Sequence, residues 1–80
     1  MITRGKRVRP TGMASAVYLW SDPSLQRASG RSVGRLDRNS LGIVVETRAV
    51  RRGWEDVQVF LVLAGGSLGW VLEAAVEEAE

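Results

Sequence analysis

The chain contains no cysteine and no histidine among its 80 residues. Disulfides and thiolate or imidazole metal sites are therefore excluded. So is the imidazole on which most acid–base catalysis near neutral pH relies. Long hydrophobic runs are missing too. The longest, residues 57–66, contains Gln58 and falls well short of the roughly 20 apolar residues of a membrane-spanning helix, so no membrane is expected. The basic start, with Arg4, Lys6, Arg7 and Arg9, leads into Pro10-Thr11-Gly12 and not into an apolar stretch. No secretory signal is readable there, and the expected setting is the cytoplasm or an assembled particle such as a virion. These absences weigh on stability, because a chain this short buries only about 60% of the surface its unfolded form exposes. Packing or a partner must supply what staples do not.

What is present is a run of short alternating segments. The closing third reads Trp54-Glu55-Asp56-Val57-Gln58-Val59, continues through a hydrophobic stretch to Gly65-Gly66, and returns as Leu68-Gly69-Trp70-Val71-Leu72. That is a hairpin signature: two strands around a tight glycine turn. Over residues 54–63 both sides are largely apolar, with Val57, Val59, Leu61 and Leu63 on one and Gln58, Phe60 and Val62 on the other, which predicts a central strand. Earlier, residues 14–20 alternate with Ala16, Tyr18 and Trp20 on one face, and residues 33–36 and 41–48 predict two further strands around a turn at 37–40. In the last of these Ile43 and Val45 are expected on one face, with Val44, Glu46 and Arg48 on the other. Residues 24–32 read as a polar surface loop and 49–53 as a basic turn. Arg7-Val8-Arg9 predicts at most a short edge strand within a flexible basic arm over residues 1–12. Residues 73–80, rich in Ala and Glu with Leu72, Val76 and Ala79 at helical spacing, predict a single helical turn and a frayed acidic tail. The whole is an all-β domain over residues 13–80 preceded by the arm.

Charge is segregated along the chain. Eleven bases and three acids precede residue 53, and six acids with no base follow it, so the two parts carry +8 and −6. Such a split can guide head-to-tail contact between copies or bring a basic surface to an anionic partner. A barrel that interleaves early and late strands would neutralise much of it internally.

The remaining reactive side chains are carboxylates, serines, Lys6 and Tyr18, and nothing in the spacing of Asp22, Asp37 and Glu46 sets two carboxylates on one face. Gly65-Gly66-Ser67-Leu68-Gly69 lacks the lysine and following helix of a phosphate loop. No catalytic residues, metal or cofactor are expected, and the chain does not read as an enzyme.

Several stretches together resemble the bacterial Src-homology-3-like (SH3-like) domain, a five- or six-stranded partly open barrel. They are Val17-Tyr18-Leu19-Trp20-Ser21-Asp22-Pro23-Ser24, Val33-Gly34-Arg35-Leu36, Ile43-Val44-Val45-Glu46, Trp54-Glu55-Asp56-Val57 and Leu68-Gly69-Trp70-Val71, spread over residues 16–76. The chain departs from that pattern where Tyr18-Leu19-Trp20 replaces an Asn-Val-Arg core and Asn39-Ser40 replaces a turn glycine. The same features are similar to lone barrels encoded by tailed bacteriophages, which read Gly-Ile-Val-Val-Glu before a Val-rich strand and Gly-Trp-Val. The resemblance implies binding to peptides or peptidoglycan, or protein contacts within a phage particle.

Site candidates follow from both readings. Trp20 and Trp54, beside polar neighbours, and Tyr18 are the aromatic candidates for contact with an extended ligand, while Trp70 between Gly69 and Val71 reads as a barrel-closing core residue. Arg7 and Arg9, with Arg51 and Arg52, are the candidates for an anionic partner such as nucleic acid. The leading expectation is a non-enzymatic protein interaction module, an accessory structural protein of a bacteriophage particle or other assembly, with a protein partner or further copies of itself. Cell-wall binding through Trp20 and Trp54, and nucleic-acid binding through the basic first half, are the alternatives.

Overall fold

The computed structural model describes residues 2–23 and 31–79. Most of the expected surface loop, residues 24–30, therefore lies outside the described residues. The rest is all-β, one antiparallel sheet that curls into a half-barrel compatible with an SH3-like barrel. Its strands are β1 (Arg7–Pro10), β2 (Ala16–Trp20), β3 (Ser32–Asp37), β4 (Gly42–Arg52), β5 (Glu55–Ala64), β6 (Ser67–Leu72) and β7 (Val76–Glu78), with a 3₁₀ turn at Glu73–Ala75. They lie in the order β3-β2-β6-β5-β4-β1-β7. Seven strands are present where five or six were expected. Beyond the five strands read over residues 14–72, the ends of the chain supply β1, where at most a short edge strand was expected, and β7.

The basic start is not a free arm. Arg7 and Val8 pair with Ile43 and Gly42 of β4, and Val8, Arg9 and Pro10 pair with β7, so β1 is an interior strand and not an edge. The reason is local alternation: Val8 and Pro10 are fully buried while Arg7 and Arg9 face out. Pro10 is tolerated because it ends its strand, where one missing ladder donor matters least. The C-terminal segment makes the complementary choice. Eight residues are too few to hold a helix alone, so after one 3₁₀ turn Val76–Glu78 takes its backbone bonds from β1, with Ala79 N–H donating to Arg7 O at 2.8 Å.

The β4–β5 hairpin is the longest element, and its central strand is as expected: β5 lies fourth of seven, between β4 and β6. Two details differ from the expectation. The predicted basic turn is mostly strand, since Arg51 and Arg52 pair with Asp56 and Glu55, opposite charges facing across the hairpin. Only Gly53 and Trp54 turn the chain, with Gly53 at φ 66°, the positive φ that the favoured two-residue hairpin connections require at their first position. The second is a bulge at Val45, because Val44 pairs with Val62 but Glu46 with Leu61. One extra residue reverses the faces beyond it. Glu46 and Arg48 thus share the outward face with Ile43, and Val44 alone of the expected trio points into the core.

That core gathers Val8, Leu19, Leu36, Val44, Phe60, Val62, Ala64, Val71 and Val76 on the concave side of the sheet. Curling one sheet this tightly needs places where strands cross without side chains between them. A Cβ on Gly34 would strike Ser67 Cβ and lie 2.6 Å from its Oγ; one on Gly69 would lie 2.7 Å from Leu19 Cβ; one on Gly42 would strike Val62. At the other end Arg38 donates from its backbone to Ser15 O at 2.8 Å and from Nη1 to Pro10 O at 3.3 Å, tying the end of β3 to the end of β1. Three ion pairs, Lys6–Glu78, Arg9–Glu77 and Arg51–Asp56, join early bases to late acids, so the fold cancels part of the charge segregation.

Gly34→Ala should destabilise the fold by about 1–3 kcal/mol through overpacking against Ser67. Adding Ser67→Gly should recover most of that loss, since the next atom met is Leu19 Cδ1 at an ordinary 3.8 Å. A double-mutant cycle in denaturant measures the coupling, and additive losses would contradict the contact.

Glu77 latches β7 to β1: it accepts Gly12 N–H at 3.0 Å and Arg9 Nη2–H at 2.9 Å. The Gly12 N–H and the Arg9 guanidinium hold its carboxyl below the ordinary value of 4.5. A depressed folded value means stability that is present above the ordinary carboxylate range and lost as pH falls through the folded value. Wild-type denaturant midpoints should therefore drop more than those of Glu77→Gln between about pH 6 and about pH 3, the two curves converging at the acid end.

Candidate functional site

The antiparallel pairing of β2 with β6 consists of a single pair, Trp20 with Trp70. Continued in register, the ladder would set Tyr18 opposite Leu72. Instead β6 hands over to the 3₁₀ turn and the two strands part. The parting leaves a slot of about 210 Å³ lined by Val17, Tyr18, Trp20, Val71, Leu72 and Ala75. Val71 belongs to the core and Val17 and Ala75 pack against it, so the core itself floors the slot. Tyr18, 61% exposed, stands at its mouth.

Chemically this is an apolar slot with two polar handles, the Tyr18 hydroxyl and the Trp20 indole N–H. None of its six residues carries a charge. No grouping of three or more acidic, His or Cys side chains that could hold a metal occurs among the described residues. The slot can take up an apolar or ring-bearing group and orient it by one or two hydrogen bonds.

Of the residues singled out in the sequence, Tyr18 and Trp20 are brought together here. Trp54 is not. It occupies the tip of the β4–β5 hairpin, 88% exposed and seven residues along β5 from Leu61, whose partner across β6 is Trp70, a separation of roughly 20 Å at strand rise. The basic candidates are scattered likewise. Arg7 and Arg9 face outward from β1, with Arg9 held by Glu77, while Arg51 and Arg52 stand at the far end of β4, with Arg51 3.8 Å from Asp56. Arg7 and Arg52 have no ion-pair partner among the described residues. No single basic face results. Leu72 and Ala75 escaped the sequence reading because Leu72 read as the end of a return strand and residues 73–80 as a helical turn with Leu72, Val76 and Ala79 at helical spacing, neither of which marks a break in a ladder.

Trp70 is buried, 7% exposed, yet not in the central cluster. It lies on the outward side of β6, beside Trp20, and is roofed by the Arg48 guanidinium 4.8 Å from its ring centroid. Glu46, two residues earlier on the same face, holds Arg48 Nη2 at 3.3 Å. The Val45 bulge creates this arrangement, since without it neither Glu46 nor Arg48 would face that side. The row Glu46–Arg48–Trp70–Trp20 thus supports the wall of the slot from outside.

Arg48→Ala should cost about 0.5–1 kcal/mol, the range of an exposed cation–π contact, and lower the melting temperature by about 4–8 °C per kcal/mol. Intrinsic fluorescence should shift to the red as Trp70 becomes hydrated, while Arg48→Lys retains part of the effect. No protein-family model matches the chain, and no curated protein or solved structure matches it.

Proposed function

We propose that this chain is a non-enzymatic protein interaction module whose slot receives one apolar or aromatic side chain of a partner. The observation that carries this reading is the size and lining of the slot. A cavity of about 150 Å³ suffices for a benzene ring, whereas drug-sized ligands occupy roughly 300–1,000 Å³. At about 210 Å³, open at Tyr18 and uncharged throughout, the slot suits a side chain on an extended segment. Aromatic-lined grooves of SH3 domains bind extended segments in the same general manner, and the resemblance to lone phage-encoded barrels supports an accessory structural role in a particle or similar assembly. The alternatives draw less support: Trp20 and Trp54 are too far apart to stack on one sugar, and the basic residues are dispersed and partly neutralised.

Titration of the ¹⁵N-labelled protein with N-acetyl-tryptophanamide and with short Trp-, Phe- or Leu-bearing peptides tests this. Shifts should concentrate at Tyr18, Trp20, Leu72 and Ala75 with dissociation constants on the order of 1 mM, and Tyr18→Ala, an exposed change, should weaken them several-fold. Parallel titrations with a muropeptide and a short DNA duplex should leave these signals in place. Failure of every side-chain ligand to shift them, or shifts centred on Arg7 and Arg52 with DNA, would overturn the reading.

A further inference from the structure

We infer that the occupant of the slot is Trp54 of a second copy of this chain, so that copies join head to tail. This rests on the slot reading above and adds the partner. The first support is a matched knob on the same molecule. Gly53 lets the β4–β5 hairpin close in two residues, and the turn presents Trp54 at its tip with residues 51–56 all exposed around it. Among the described residues nothing covers the indole. Leu72 at the slot pairs with Val59, five residues along the chain from Trp54 and about 16 Å away at strand rise, beyond the reach of an indole, so insertion here is intermolecular.

The second support is fit. The slot exceeds the volume that accommodates a single benzene ring, is apolar, and offers the Tyr18 hydroxyl as an acceptor for an indole N–H. Burying one tryptophan removes about 150–250 Å² from water. That is a small, reversible junction and not an obligate interface.

The third support is charge. Arg52 flanks the tip and Glu73 follows Leu72 at the slot, and neither has an ion-pair partner among the described residues. Seating the tip in the slot brings Arg52 towards Glu73, and carries with it Glu55, which faces Arg52 across the hairpin and likewise has no ion-pair partner among the described residues. Knob and slot are different patches, so the contact is heterologous: copies close into a ring if the rotation per step permits, and otherwise extend as a filament.

Sedimentation velocity over roughly 0.1–1 mM tests the inference, a range suited to small interfaces. Wild type should show concentration-dependent association, weakened about tenfold or more by Trp54→Ala, as for a buried aromatic anchor. Arg52→Glu alone should weaken it, and Arg52→Glu combined with Glu73→Arg should restore it. The decisive arm mixes Trp54→Ala, which keeps its slot, with Tyr18→Ala/Glu73→Arg, which keeps its knob. Each alone should be monomeric, and the mixture should stop at a 1:1 dimer. Association undiminished by Trp54→Ala, for instance through the outward row Ile43, Leu63 and Leu68, overturns the inference. So does a monomeric wild type. In that case N-acetyl-tryptophanamide, titrated into Trp54→Ala, separates the two readings: binding at the slot leaves the slot reading standing without self-assembly, and no binding removes both.

Discussion

The close approach of β2 and β3 onto β6 is the contact on which this molecule depends. An 80-residue chain without cysteine or histidine has no cross-link and no imidazole or thiolate metal site to hold it, and a flat sheet of seven short strands would leave one face of every strand wet. Curling brings Leu19 and Leu36 over Phe60 and Val62 and makes a single enclosed core. The curl is possible only where Gly34 meets Ser67, Gly69 meets Leu19 and Gly42 meets Val62, because a methyl group at any of the three would hold the strands apart. Space, and not backbone freedom, is what these glycines supply.

The same curl determines what happens on the outside. β5 is apolar on both faces, so burying Phe60 and Val62 leaves Val59, Leu61 and Leu63 looking outward, and only part of that layer can be left exposed without inviting association. Trp70 and the Arg48 guanidinium cover its middle, and Ile43, Leu63 and Leu68 remain open at one end. The edges are managed differently. β7 is three residues long and carries two acids, and β3 presents the Arg35–Asp37 pair, which are features that discourage indiscriminate strand addition.

The slot exists because the curl is not uniform. Where β2 and β6 touch at Trp20 and Trp70 the sheet is continuous; two residues on, the 3₁₀ turn draws Leu72 and Ala75 away and the ladder fails. A break in a ladder exposes apolar side chains that the rest of the sheet keeps covered, at a place whose walls are held by the core. Slot and core are thereby separable: Tyr18 and Trp54 can change with little effect on the core, whereas Val17 and Val71 cannot.

The sequence by itself determined the five strands of the middle of the chain and most of their turns. Alternation marked residues 14–20, the Gly65-Gly66 pair marked a tight hairpin, and two apolar faces over residues 54–63 marked a central strand, because each of these signals is local and depends on side-chain period or on φ alone. Tyr18 and Trp20 were also legible as aromatics apart from the main core. Tertiary structure decided the rest. The bulge at Val45 is a difference in count between two strands, invisible in either one, and it moved Glu46 and Arg48 to the other face. The joining of β1 to β7 depends on residues nearly seventy positions apart, Arg9 and Glu77 among them, so each segment alone read as an arm or a helical tail. The slot and the separation of Trp54 from Trp20 follow from where a ladder stops, a property of paired strands that no single stretch of sequence contains.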